Sequence, residues 1–511
     1  MLARVTTFAI DGLESRKVSI EVDVRSGLPS FRVVGLADAA VREARERVRA
    51  ALLNSGFEFP AKRITANLAP ANLKKVGPGF DLGLAVGVLA ATDQVPTDPL
   101  TGWAVFGELS LGGEIRGCAG TLAVAAGAGR AGVEGLVVPV DRAREAALVQ
   151  TVRVAAAATL REVVEVLDGS RPPTAAVPLP PPVSSRDADV ADLDEVIGQA
   201  DALMAIEIAA AGGHNLLLEG PPGVGKTMLA RRLPGILPPL TRDEALEVTR
   251  IYSVAGLHAG GLVSRRPFRA PHHTISAAGL VGGGAPPAPG EASLAHHGVL
   301  FLDELSEFAR SALEALRQPV EEGWVSIIRG QQARRFPTRF MLVAATNPCP
   351  CGFAPDGDRC ECSEADLARH QRRLSGPLLD RLDMRCALTR PDASELGRPC
   401  VDTSDAIRAR VIVARERQLR RLGEAGAHCN AEMDARLTRE HARLTGAAEA
   451  ALAQAYRHHH LSARGLQRVT RVARTVADLA GTAETEVEHV MRALSLRQDP
   501  AREPIASAAE A

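Results

Sequence analysis

One stretch limits what this chain can become more than any other. Gly220-Pro-Pro-Gly223-Val-Gly225-Lys226-Thr227 is a GxxxxGK[ST] loop set between the apolar run Asn215 to Leu218 and the helix-forming Met228 to Leu233. Strand, glycine loop and helix in that order make a phosphate cradle. The glycines let successive backbone N–H groups converge on an anion at a helix N-terminus, Lys226 offers a compact cation to the β and γ phosphates, and Thr227 offers a hydroxyl to Mg²⁺. ATP with Mg²⁺ is the expected ligand, held by Gly220, Pro221, Pro222, Gly223, Val224, Gly225, Lys226 and Thr227. Lys226 is also the last lysine of the chain, after Lys17, Lys62, Lys74 and Lys75; every other cationic side chain is arginine. An arginine fork is broader and bidentate, so a lysine kept against that bias marks a place where a point charge is needed.

Two more buried-type strands follow the loop. Val299 to Leu302 ends in Asp303 and Glu304, and Phe340 to Ala345 ends in Thr346 and Asn347. In a parallel sheet such ends meet along one edge. Asp303 is therefore expected to join Thr227 at Mg²⁺, Glu304 to polarise the attacking water, and Asn347 to orient that water against the γ phosphate. Strands alternating with amphipathic helices over 191–393 predict a parallel α/β domain. Ahead of it, 1–168 reads as an α+β domain, with strands at Val18 to Val24 and Phe31 to Val34 and helices at Ala37 to Ser55 and Leu82 to Thr92. The proline-rich 169–190 between them reads as a semi-rigid linker. Apolar residues at helical spacing in Ser404 to Leu422 and Leu466 to Leu479 predict a helical lid over 394–498, and 499–511 a frayed tail. A length of 511 residues suits about three domains.

Composition removes other classes. No apolar run reaches the ~18 residues of a membrane span, and Met1 to Ile10 is too short for a secretory segment, so a cytoplasmic protein that does not enter a membrane is expected. Lys and Arg number 60 against 61 Asp and Glu, so any nucleic-acid surface must be a local patch. Eight cysteines are too few for a disulfide scaffold, but Cys349, Cys351, Cys360 and Cys362 crowd into one loop. That cluster suits a structural Zn²⁺, although ligands one residue apart must splay to reach tetrahedral geometry; reduced thiols are the alternative.

The wording around these strands narrows the choice. Gly212-Gly-His-Asn-Leu-Leu-Leu, Arg269-Ala-Pro-His-His-Thr-Ile-Ser276, Pro289-Gly-Glu-Ala-Ser-Leu-Ala-His-His-Gly298, Asn347-Pro-Cys-Pro-Cys-Gly352 and Ser375-Gly-Pro-Leu-Leu-Asp-Arg-Leu-Asp383 resemble the magnesium-chelatase-like AAA+ proteins of the ComM/YifB type. The resemblance spans nearly the whole chain, since Gly35 to Val48 and Gly77-Pro-Gly-Phe-Asp81 share it. It implies that the loop is the Walker A motif, Leu302-Asp303-Glu304 the Walker B and Asn347 sensor 1. It further implies that Arg381 is an arginine finger for a neighbour's γ phosphate and Arg464 the sensor 2 of the lid. A finger supplied in trans needs a ring, and the family leads to a homo-oligomer, a hexamer.

The same resemblance reaches the N-terminal domain. Leu109 to Pro139 with Gly77 to Ala91 is similar to the Lon-protease-like, ribosomal-S5-related fold. Lon-type peptidases need a serine after the Gly-Pro turn and a lysine to deprotonate it, whereas Gly79 follows Gly77-Pro78 here and no lysine lies between Lys75 and Lys226. Peptidase chemistry is thus not expected, and a ring-forming or DNA-tracking role is. Lys62, Arg63, Lys74 and Lys75 either touch phosphate or form a solvated face. Trp324 to Phe340 reads as a hairpin turning near Gly330 and carrying Arg329, Arg334, Arg335 and Arg339. In related proteins such a hairpin points into the ring pore, where arginines would track branched or single-stranded DNA by charge, without sequence preference; a merely solubilising role is the alternative. Gly279 to Gly290 looks like the mobile insert of the same clade. The function implied is a DNA-stimulated ATPase, a helicase or branch-migration motor in recombination or natural transformation. A magnesium-chelatase-type motor subunit driving metal insertion, or a protein remodeller, is the alternative.

Overall fold

The computed structural model describes residues 1–173, 192–257, 260–329, 332–354, 359–374, 378–390, 402–458 and 461–497. The linker from 174, the turn at Gly330, the Arg329 side chain, Ser375 to Pro377, residues 391–401 with the first residues of the expected lid (from 394), and the tail lie outside these residues.

The N-terminal strands are β1 (Leu2–Asp11), β2 (Glu14–Arg25), β3 (Ser30–Val34), β4 (Arg63–Ala69), β5 (Trp103–Val105), the short pair β6 (Glu108–Leu109) and β7 (Ile115–Arg116), β8 (Gly135–Pro139) and β9 (Arg153–Ala157). All but β6 and β7 join one mixed sheet in the order β3-β4-β2-β1-β5-β8-β9. β2 shows why: Val18, Ile20, Val22 and Val24 are buried at every second position, the two-residue period of a strand with one face on a core. That face meets the helix Asp81–Ala91, which is buried along its entire length.

The second sheet is built from β10 (Leu216–Glu219), β11 (Phe268–Arg269), β14 (Val299–Leu302), β17 (Met341–Thr346) and β18 (Met384–Ala387). Between them come two hairpins, β12 (Gly282–Gly283) with β13 (Ala288–Pro289), and β15 (Trp324–Arg329) with β16 (Gln332–Pro337). The sheet is parallel throughout, in the order β11-β14-β17-β10-β18. Every residue of β14 and β17 is buried, as layers on both faces require. On one face, Leu217, Leu300 and Leu342 pack with Leu280, Ala312 and Leu316. On the other, the helices Ala200–Gly212 and Lys226–Ile236 share a single core with the C-terminal helices Ser404–Leu422, Gly446–His458, Ala463–Ala480 and Val487–Ser495, through residues such as Ile206, Val343, Val411, Val472 and Val490. Ser404–Leu422 and Ala463–Ala480, expected in a lid, thus pack on the helix Ala200–Gly212 as an outer wall behind the sheet.

The two domains are joined by side chains as well as by chain. The Gly120 N–H donates to the Ser253 carbonyl (2.9 Å), while the Leu122 N–H (3.0 Å) and the Ser253 hydroxyl both donate to the fully buried Glu145. At a second point Arg334 of β16 pairs with Asp11 at the β1–β2 turn, and Leu13 packs against Val325, Ile327 and Phe336 of the hairpin. Among the described residues no helix is long and apolar enough to cross a membrane.

Candidate nucleotide site

Strand order puts the site together. β10 pairs with β17 so that Glu219 lies opposite Thr346, and β17 pairs with β14, so Gly220, Asn347 and Asp303 leave the same edge of the sheet side by side. Gly223 and Gly225 adopt left-handed backbone (φ 80° and 96°), which wraps the loop onto the first turn of the helix Lys226–Ile236. The Lys226 ammonium, 8% exposed, donates to the carbonyls of Gly220 (2.5 Å) and Pro221 (2.9 Å) and to Asn347 Oδ1 (2.9 Å). Burial pushes its pKa down, and the charges of Asp303, Glu219 and Glu304 pull it back up. Thr227 Oγ1 donates to Asp303 Oδ2 (2.7 Å), and Asp303 Oδ1 accepts the Glu304 N–H (3.0 Å). A hydroxyl and a carboxylate in contact, beside a lysine at a helix N-terminus, fit Mg²⁺ and a triphosphate.

Glu304 stands apart from this network. Its backbone is left-handed (φ 51°), which turns the side chain away from the strand direction and leaves it 58% exposed. Left-handed non-glycine residues cost roughly 1–3 kcal/mol and persist where their surroundings or a function demand them. Its Oε2 lies 3.3 Å from His273 Nδ1, and His273 in turn stacks on His272 (4.1 Å). The Asn347 carbonyl meets His370 Nε2 (2.9 Å) from the helix Glu364–Leu374. Neither histidine was singled out by sequence reasoning. His273 sits in the Arg269 to Ser276 motif, whose two adjacent histidines were the available signal; His370 had none.

The two expected arginines lie elsewhere. Arg381 is buried and paired with Glu321 of its own chain. Arg464 is exposed in the first turn of Ala463–Ala480, behind the cap Ser462, whose Oγ accepts the Gly465 N–H (3.0 Å). Both come near Arg468: burial lowers the Arg468 pKa, and the charges of Arg381 and Arg464 lower it further, while Asp383, 3.5 Å away, opposes them. Arg381 and Arg464 therefore both lie within electrostatic reach of Arg468, together with the carboxylates Asp380 and Asp383. Burial also raises Asp383, which accepts the Asn215 N–H (2.9 Å), and lowers its neighbour His214 to about 3.

The hairpin is present, and two of its arginine side chains have partners within the chain. Arg334 is taken by Asp11, and Arg335 lies over the Trp324 ring (4.2 Å). Arg339 follows β16, with its N–H donated to His296 Nδ1 (3.0 Å). Lys75 requires a correction: neither phosphate-facing nor solvated, it is fully buried, donates to the Pro70 carbonyl, and has its pKa lowered by burial. Lys62, Arg63 and Lys74 are exposed. At Gly79 a Cβ would lie 2.4 Å from Phe106, so the position that would carry a peptidase nucleophile has no room for one.

Among the described residues, two groups of side chains have the proximity of metal ligands. The four sulfurs of Cys349, Cys351, Cys360 and Cys362 lie within 4.8 Å of one another. The ligand atoms of Glu247, His296 and His297 do so too. In the second group His296 Nδ1 accepts the Arg339 N–H, which leaves the proton of the neutral ring on Nε2, pointing at Glu247 (3.0 Å). A protonated nitrogen cannot ligate, so this trio is a carboxylate clasping two histidines.

Three family descriptions match the chain: "Magnesium chelatase, subunit ChlI" over residues 192–396, "Subunit ChlI of Mg-chelatase" over 20–142 and "Magnesium chelatase, subunit ChlI C-terminal" over 401–497. The uncharacterized protein YifB of Salmonella typhimurium is 43% identical over 501 residues, 97% of each chain. Competence protein ComM of Haemophilus influenzae is 41% identical over 511 residues, again 97% of each. The archaeal Lon protease of Methanothermobacter thermautotrophicus is 44% identical over 57 residues, 11% of this chain and 9% of that one.

Proposed function

The chain belongs to the ComM/YifB family of magnesium-chelatase-like AAA+ proteins, and from that premise we propose that it hydrolyses ATP as a hexameric motor on branched or single-stranded DNA. The observation that carries the ATPase reading is the contact of Lys226 with Asn347 and of Thr227 with Asp303 at one sheet edge. Lys226 and the loop N–H groups bind the phosphates, Thr227 and Asp303 hold Mg²⁺, Glu304 accepts the proton of the attacking water, and Asn347 orients it. Mg²⁺ supplies charge neutralisation to the β and γ phosphates. Arg381 leaves Glu321 and, with Arg464, which also lies within electrostatic reach of Arg468, reaches the phosphates of the adjoining subunit. Zinc at the four cysteines completes the cofactor set.

The DNA reading draws on near-full-length similarity to a competence protein. The names of the matching family descriptions favour a second reading, a motor subunit that drives metal insertion. Phosphate release with and without forked DNA separates them. Stimulation supports the DNA motor; indifference to DNA together with stimulation by a chelatase partner supports the second. A subunit that moves through the cytoplasm as a homo-oligomer is common to both.

A further inference from the structure

The cysteine loop has no core of its own. Between β17 and the helix Glu364–Leu374 the described residues contain no strand or helix, so no regular backbone hydrogen-bonding holds this loop. The thiols stand where a staple would. Cys349 Sγ is 3.2 Å from Cys351 Sγ and 3.8 Å from Cys360 Sγ, with 3.6 Å between Cys351 and Cys360. Zn–S bonds of about 2.3 Å in a tetrahedron set the sulfurs about 3.8 Å apart. The two pairs that involve Cys360 match that spacing and the CxC pair is about 0.6 Å tighter, with the backbone folded over Cys349, whose sulfur accepts the N–H groups of Gly352 (3.2 Å) and Ala354 (3.3 Å).

The loop also touches the nucleotide site from both of its ends. Gly352, with φ 88°, lies directly on the phosphate loop: a Cβ there would be 2.6 Å from Pro222 and 3.9 Å from Asn347. Beyond Cys362, His370 returns to the Asn347 carbonyl. Asn347 is thus held by His370 from beyond the last cysteine while Gly352, between the two cysteine pairs, rests on Pro222, and Asn347 is one of the three groups that accept from Lys226.

We propose that Cys349, Cys351, Cys360 and Cys362 bind one Zn²⁺, and that this zinc holds Asn347 and Pro222 where ATP needs them. The inference rests on the ATP-binding reading of Gly220 to Thr227. The metal serves as a strut: it closes the loop, the loop presses on Pro222, and the phosphate cradle keeps its shape.

The test uses the full chain, purified without added metal. Elemental analysis is expected to find one zinc per chain, and a fluorescent ATP analogue is expected to bind. Stripping the zinc with a mercurial and chelator, or Cys362→Ser, is expected to weaken that binding at least tenfold, and returning Zn²⁺ to the stripped wild type to restore it. Gly352→Ala is expected to keep the zinc and still weaken the analogue, which separates the strut from general unfolding. Iron, a disulfide or no metal in the isolated protein overturns the site. Zinc whose removal leaves affinity within twofold overturns the strut. A zinc-loaded wild type that binds no nucleotide overturns the ATP reading and the strut with it, and leaves the metal site standing.

Discussion

The pairing of Arg334 with Asp11 decides what the β15–β16 hairpin is for, and a double-mutant cycle reads it. Asp11 is 8% exposed and Arg334 19%, so the pair lies between a surface bridge, worth about 0.2–1 kcal/mol, and a buried one, where removing a partner costs about 3–5 kcal/mol. Arg16, 2.8 Å from Asp11 and 67% exposed, remains as a second cation when Arg334 is lost. That cushion brings the expected cost of Arg334→Gln to about 2 kcal/mol, and the coupling energy of Arg334→Gln with Asp11→Asn to about 1.5 kcal/mol. Urea unfolding followed by tryptophan fluorescence suits the assay, because Trp324 lies beneath Arg335 in the same hairpin and Trp103 is the other tryptophan. Single effects that add to within about 0.3 kcal/mol refute the clasp. So does an Arg334→Gln protein of unchanged stability whose DNA affinity falls and whose salt slope drops by about one, the signature of a lost phosphate contact.

Glu304→Gln is expected to bind ATP as the wild type does and to turn over about 10²–10⁴ times more slowly; unchanged turnover removes Glu304 from the chemistry. Arg381→Ala subunits mixed into wild-type rings are expected to depress ATPase activity more steeply than their share of the mixture, since each silences a neighbour's site; a strictly proportional decline argues against a finger in trans. Stability is expected to fall as pH drops below about 6.5, because burial first of all lowers His214 to about 3 and His296 to about 4. The unfolded chain then binds protons that the folded one refuses, at up to about 1.4 kcal/mol per pH unit for each histidine. Unfolding midpoints against pH measure this, and a His214→Gln protein with the wild-type slope would falsify the part assigned to His214.

Legibility in the sequence followed how local each feature is. β10, β14 and β17 could be read because strands covered on both faces are short apolar runs, and their polar ends carry Asp303, Glu304 and Asn347 to one edge. The phosphate loop was readable because its chemistry is contiguous. Pairings across the fold were not: nothing near Arg334 in the chain announces Asp11, nothing near Arg381 announces Glu321, and His370 reaches Asn347 only through the folded cysteine loop. Lys75 was misjudged because a lysine among charged neighbours normally stays in water, and only the nearby Pro70 carbonyl makes its burial tolerable. The back wall of the parallel sheet was hidden for the same reason, since helical spacing shows that a face is apolar and not what it will cover.

That wall bears on how the protein is made. Ile206 and its helix share a core with Val411, Val472 and Val490, so a growing polypeptide can finish its first domain on the ribosome but must hold the helices behind its second sheet half-dressed until the last helices emerge. A messenger cut short after β18 therefore yields a sticky fragment for chaperones and proteases to clear, and not a smaller working engine.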